Sequence, residues 1–180
     1  MNIENLEFYS QYKLEQDKFV AETFKYKKDG TFLDIGCNDY KYRNNTYFLE
    51  KNLNWLGIGI DTRKDHKDDW EKNRISKFIA GNATTLDFKK ILDENNMPQI
   101  IDYLSIDTEP SSTSFKCLLN VFKSGYDFNV ITFETDEYNT KPEDSVQEVS
   151  RFFLKSKGFV LIKEVNNQDD FYIHQRMLNG

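Results

Sequence analysis

The sequence predicts an α/β fold in three layers, with a mainly parallel sheet that ends in an antiparallel hairpin. Three observations predict it. Short β-branched runs alternate with longer amphipathic stretches along most of the 180 residues. The last two runs are joined only by Asn166-Asn167-Gln168-Asp169, too short for a crossover helix. The first five runs each close on, or run straight into, an acid or an amide, and ligands of open α/β sheets bind at that edge.

Taken in order, residues 1–28 form a helical lead-in. Tyr12, Phe19, Val20 and Phe24 occupy apolar positions between acids over 10–27, and Asp29-Gly30 stops the helix. Residues 31–36 are a short buried strand closing on glycine. A helix over 47–52 takes Asn45 or Thr46 as its cap. Residues 56–61 are a second buried strand. The charged stretch 62–74 is expected to be a solvated helix or loop. Residues 77–80 are a third strand, followed by Gly81-Asn82-Ala83 and a helix over 88–95. A fourth strand spans 101–107, a helix 111–123 and a fifth strand 129–134. Pro142 opens a helix over 143–157 that Gly158 ends. Residues 159–165 and 170–174 are then the hairpin. A dinucleotide-binding dehydrogenase would continue with strand–helix–strand units, so the hairpin favours the methyltransferase form of the Rossmann-like fold.

The chain fits one domain over 1–180, with its core at 29–174. Phe 15 and Tyr 10 supply large core side chains although hydrophobic residues are only 38%. The net charge of −6 argues against a phosphate-backbone binder, so no nucleic-acid partner is expected. No run approaches the ~18 apolar residues of a membrane span, and Met1-Asn2-Ile3-Glu4-Asn5 lacks a secretory pattern. Cys37 and Cys117 suit a reducing cytoplasm.

The acids and amides at the strand ends are Asp34, Asn38 and Asp39; Asp61; Asn82; Asp107 and Glu109; and Glu134 and Asp136. Such residues are also ordinary turn and cap residues. A crowd of carboxylates nevertheless suits a positive ligand, either a sulfonium cofactor with an α-amino group or a divalent cation. Gly36 lets backbone approach a ligand, and Asp34 or Asp39 would hold the ammonium of a methionyl group. Asn38 and Lys41 stand where a pyrophosphate-binding turn would have further glycines. Asp61 has the placement of an acid that bonds ribose hydroxyls.

The runs 34–39 (Asp-Ile-Gly-Cys-Asn-Asp), 45–50 (Asn-Thr-Tyr-Phe-Leu-Glu) and 54–61 (Asn-Trp-Leu-Gly-Ile-Gly-Ile-Asp) together resemble the opening of the FkbM-type methyltransferases. Residues 101–109 resemble that family's D-x-L-x-x-D-x-E segment. Ser10-Gln11 with Gln16-Asp17 is similar to its lead-in, and 151–159 to its closing helix and strand. The likeness runs from about residue 9 to 174. Pro110, where the family has glycine, and Tyr40-Lys41, where it has small residues, depart from the pattern.

The resemblance implies S-adenosylmethionine as cofactor and O-methylation of a small-molecule or carbohydrate hydroxyl. It implies that Asp34, Gly36 and Asn38 line the methionyl end, that Asp61 binds the ribose, and that Asn82 and Ala83 border the adenine. Asp107 and Glu109 would face the reaction centre as catalytic residues. His66 lies in a charged stretch and His174 on the last strand, so neither is expected to be the base. Asp107, Glu134 and Asp136 could instead hold Mg²⁺ and lower the acceptor's pKa. The alternatives are a catalytically inactive member of the fold that binds cofactor or a partner, and a nicotinamide-dependent oxidoreductase. The missing glycines and the hairpin oppose the second.

Overall fold

The computed structural model describes residues 6–178; residues 1–5, read above for a secretory pattern, lie outside them. Seven strands of the described residues form one sheet. They are β1 (Thr31–Ile35), β2 (Leu56–Asp61), β3 (Lys77–Ala80), β4 (Ile100–Ile106), β5 (Asp127–Glu134), β6 (Phe159–Val165) and β7 (Asp169–His174). Their order is β3-β2-β1-β4-β5-β7-β6. The first five are parallel, and β7 runs antiparallel to both β5 and β6. The chain reverses its direction of travel across the sheet between β1 and β4. Ligands of such folds bind at that switch point.

Seven α-helices of the described residues flank the sheet: α1 (Gln16–Thr23), α2 (Tyr47–Leu53), α3 (Lys67–Asn73), α4 (Phe88–Glu94), α5 (Ser111–Phe122), α6 (Gln147–Ser156) and α7 (Gln175–Leu178). Strand side chains alternate between faces. Leu33, Ile35, Ile58 and Ile60 therefore pack on one side with Leu92 of α4, Leu118 of α5 and Leu154 of α6. Phe32, Tyr103 and Val130 face the other way, against Val20 of α1 and Phe48 and Leu53 of α2. Burying each such side chain contributes about 1.5–3 kcal/mol, and this double face makes the sheet the middle layer. No helix of the described residues is long and apolar enough to cross a membrane.

Four expectations need correction. The lead-in helix over 10–27 is only Gln16–Thr23, because Lys13, Glu15, Lys25 and Tyr26 adopt positive φ on either side of it. Tyr12, expected on its apolar face, is 86% exposed. The charged stretch 62–74 is not simply solvated. Trp70 of α3 is fully buried on Phe78 and Cys37, and its Nε1 donates to the Ser76 carbonyl at 2.8 Å. Pro142 opens a short 3-10 turn, Pro142–Asp144, while α6 begins at Gln147. The hairpin turn is 166–168, with Asn166 and Asn167 both left-handed, a conformation asparagine tolerates well.

Candidate functional site

A cavity of about 620 Å³ opens at the carboxyl ends of β1 to β5. Of the residues singled out from sequence, Gly36, Asn38, Asp61, Asn82, Ala83, Asp107, Glu109 and Glu134 line it. Asp34 and Asp136 do not.

Asp34 is displaced by strand alternation. Like Phe32, it points to the α1–α2 face, where it is 1% exposed. It accepts a hydrogen bond from the Thr46 hydroxyl at 2.9 Å, and burial raises its pKa to about 6. The same Thr46 oxygen accepts from Arg74, whose Nε bonds Glu50 at 2.8 Å inside the protein. Arg74 also donates to Asn44 and to the Tyr40 carbonyl. Thr46 thus stands at the start of α2 without capping it with its side chain; its hydroxyl closes this network instead. The role expected for Asp34 at the methionyl end is replaced by support of the loop above it.

On the β1–β3 side the polar groups are already bonded. Gly36 has φ +82, and a Cβ there would stand 1.8 Å from the Asp107 carbonyl oxygen. Close approach to the β4 end therefore demands this glycine, whatever binds nearby. The Gly36 and Cys37 amides donate to the Ile60 carbonyl at 2.8 and 3.2 Å. Asp61 accepts from the Asn38 amide at 2.9 Å and from the Arg63 amide at 2.8 Å, one on each carboxylate oxygen. Each oxygen retains a lone pair for a further donor. His66, expected in solvent, is half-buried, with Nδ1 2.9 Å from the Asn38 carbonyl, so it pins this loop. Asn82 accepts from the Thr84 amide and hydroxyl, and Asn120 of α5 donates to the Ala83 carbonyl. Asp39 faces its own loop, accepting from the Lys41 and Tyr42 amides.

The β4–β5–β7 side is built differently. Asn45 donates to Ser105 at 3.0 Å and to Asp107 at 3.3 Å. Burial raises the Asp107 pKa, opposed by hydrogen bonds from Glu134 and Asn45. Burial first, and then the charge of Asp107, pushes Glu134 to about 10. Glu134 therefore carries a proton and donates it to Asp107. Asp169 lies opposite Glu134 in the β5–β7 ladder; burial and Asp107 push it to about 8, and Gln16 donates to it at 2.7 Å. Three buried side-chain atoms of the described residues lack any hydrogen-bond partner: Gln16 Oε1, Asn45 Oδ1 and Glu134 Oε2. The first two are amide acceptors and the third belongs to the protonated carboxyl, and all lie in residues bonded to or within this acid group.

The expected Mg²⁺ set of Asp107, Glu134 and Asp136 is corrected here. Among the described residues no group of three or more His, Cys, Asp or Glu side chains could hold a metal ion. Asp136 sits in a left-handed turn off the cavity, its amide donating to the Gln168 carbonyl. The proton on Glu134 does for the remaining pair what a cation would have done.

Gln11, Asn45, Gln16 and Asp169 escaped the residue-by-residue reading. The spacing Ser10-Gln11…Gln16-Asp17 was the available signal. Asp17 accepts from the Tyr9 and Ser10 amides and the Ser10 hydroxyl, which folds the lead-in over the sheet edge and brings Gln11 into the cavity wall. His174 is structural, as expected: its Nε2 lies 3.1 Å from the Lys157 carbonyl and its ring meets Phe159 edge-on.

Solved methyltransferases share this fold. An O-methyltransferase from Bacillus cereus in complex with S-adenosylhomocysteine (SAH) superposes with a TM-score of 0.59 at 17% identity, covering 94% of this chain and 84% of that one. An rRNA methylase from Streptococcus thermophilus gives 0.52 at 11% identity over 90% and 95% of the two chains. The N-methyltransferase NodS from Bradyrhizobium japonicum gives 0.54 at 11% identity over 89% and 95%. No family model matches the sequence, and a search of curated proteins finds no relative. The chain has the three-layer Rossmann-like fold of the class I S-adenosylmethionine-dependent methyltransferases, down to the antiparallel hairpin.

Proposed function

We propose that the protein is an S-adenosylmethionine-dependent methyltransferase of FkbM type, methylating a hydroxyl of a small-molecule or carbohydrate acceptor. One observation carries the reading: the switch-point cavity joins a wall of ordered loops at β1–β3 to a floor of crowded acids at β4 and β5. The donor set suits the cofactor. Asp61 has free lone pairs for ribose hydroxyls, Asn82 and Ala83 would border the adenine, and Gly36 and Asn38 would border the methionyl end. The carboxylates favour a sulfonium and an ammonium over a phosphate.

When bound, the cofactor supplies an electrophilic methyl group. The chain's own task is to place the acceptor in line and take up its proton. Asp107 is our base. Asn45 fixes its carboxylate, and burial raises its basicity toward a hydroxyl. Glu109 lies beside it on the cavity wall, where it would orient the acceptor. The two free cysteines are buried, and a cytoplasmic location fits them. Calorimetry with SAH tests the proposal. Binding in the micromolar range is expected, and no binding at millimolar concentration would sink it. Asp107→Asn should keep that affinity while lowering turnover about a hundredfold or more. A protein that binds SAH but turns over no acceptor would be the inactive form of the fold.

A further inference from the structure

A second cavity, of about 750 Å³, opens beside the first and shares Gln11 and Arg43 with it. It lies between the lead-in and the loop that follows β1, and the reaction scheme above does not use it. Tyr12 and Tyr42 line it, 86% and 67% exposed. Lys13, Lys41 and Arg43 line it as well. Among the described residues none of these three cations enters an ion pair. Instead each stands over a tyrosine ring: Lys13 over Tyr12 at 6.0 Å, Lys41 over Tyr9 at 5.2 Å and Arg43 over Tyr42 at 5.4 Å. The acids on the wall are engaged locally. Glu7 accepts from the Tyr9 hydroxyl, and Asp39 accepts from two amides of its own loop.

The net charge of −6 is an average over the whole chain, and this groove inverts it locally. Single exposed tyrosines need no explanation. Tyrosines interleaved with unpaired cations, around a hollow continuous with a reaction centre, call for a ligand with both a flat face and a negative charge. A neutral sugar would use the rings and leave the cations idle. A bare phosphate or sugar phosphate would do the reverse.

We propose that this groove seats a nucleotide unit of the acceptor, its base on the exposed tyrosines and its phosphate against Lys41 and Arg43, with the hydroxyl to be methylated passing Gln11 into the acid-floored cavity. The inference rests on the methyltransferase reading for that direction of travel. A free nucleotide and a single-stranded RNA end share this chemistry.

The test uses the full chain saturated with SAH, so that no adenine can enter the cofactor side. Adenosine 5′-monophosphate, adenosine, glucose 6-phosphate and a short single-stranded oligoadenylate are titrated in turn by calorimetry. The monophosphate is expected to bind about tenfold tighter than either adenosine or glucose 6-phosphate. Tyr42→Ala and Lys41→Ala should each weaken it about tenfold, Tyr42→Phe should retain it, and SAH affinity should not change in any of them. Oligoadenylate binding tenfold tighter than the monophosphate assigns the groove to RNA, and equal affinity assigns it to a free nucleotide. Either supports the proposal. It is overturned if glucose 6-phosphate or adenosine binds as tightly as the monophosphate, if the two alanine variants change nothing, or if no nucleotide binds. Failure of SAH itself to bind refutes the methyltransferase reading instead. The nucleotide titration then runs on the free protein and decides the groove separately.

Discussion

The two sides of the main cavity treat polar groups in opposite ways. On the β1–β3 side every acid and amide named above already has partners: Asp61 holds two backbone amides, Asn82 holds Thr84, and Asp39 holds its own loop. On the β4–β5–β7 side the carboxyls crowd one another, and acceptors stay buried without donors. The first arrangement is cheap to maintain and presents fixed geometry. The second is held in place by the rest of the fold and leaves buried polar atoms without partners. Satisfied and crowded polar groups are thus divided between neighbouring strands of one sheet.

The satisfied side should break most severely when one of its supports is removed. Arg74→Met leaves Glu50 charged and buried, and should cost about 3–5 kcal/mol of stability. Arg74→Met combined with Glu50→Leu should recover much of it. Denaturant unfolding of both variants checks this, and a mild single variant would mean the network is not buried in solution. Gly36→Ala comes next. The added methyl meets the Asp107 carbonyl at a residue of positive φ, so a loss of about 2 kcal/mol is expected, together with loss of SAH binding. Normal SAH affinity in this variant would show that the β1 turn can yield. Asp61→Ala should weaken SAH about tenfold by calorimetry, with a smaller fall in Tm.

A pH dependence sharpens the other side. Glu134 and Asp169 have folded pKa values of about 10 and about 8, far above the ordinary carboxyl range. Their protonated forms are favoured by folding. The stability they contribute is complete below the unfolded pKa values and is lost as pH rises through the folded ones. Unfolding free energy should therefore fall from about pH 5 to about pH 8 through both groups and on to about pH 10 through Glu134, each group adding at most about 1.4 kcal/mol per unit. Glu134→Gln should flatten that slope. A stability that rises over this window, or a slope untouched by the substitution, would contradict the shared proton.

Much of this was legible in the sequence, for a physical reason. Strands buried on both faces read as unbroken apolar runs, and Leu56-Gly57-Ile58-Gly59-Ile60 ending on Asp61 left little choice of boundary. The hairpin followed from chain length alone. Trp70 was hidden because one buried anchor amid nine charged residues of the stretch 62–74 does not alter a pattern read by period. Asp34 misled because its place at a strand end suggested the ligand edge, whereas its side follows from alternation with Phe32 and Leu33. Asn45 acts on Asp107 across 62 positions of chain. No local rule reaches that far.

The contact between Gly36 and Asp107 carries a mechanical consequence. Three strands meet there through the Gly36 and Cys37 amides on Ile60 and the Asp107 amide on the Ile35 carbonyl at 2.9 Å. The turn that would grip a cofactor and the acid that would receive a proton are bolted to the same few atoms. Thermal motion that displaces one displaces the other, so under the proposed function the distance between methyl donor and base would be set by this backbone weld, and the neighbouring groove could change without disturbing it.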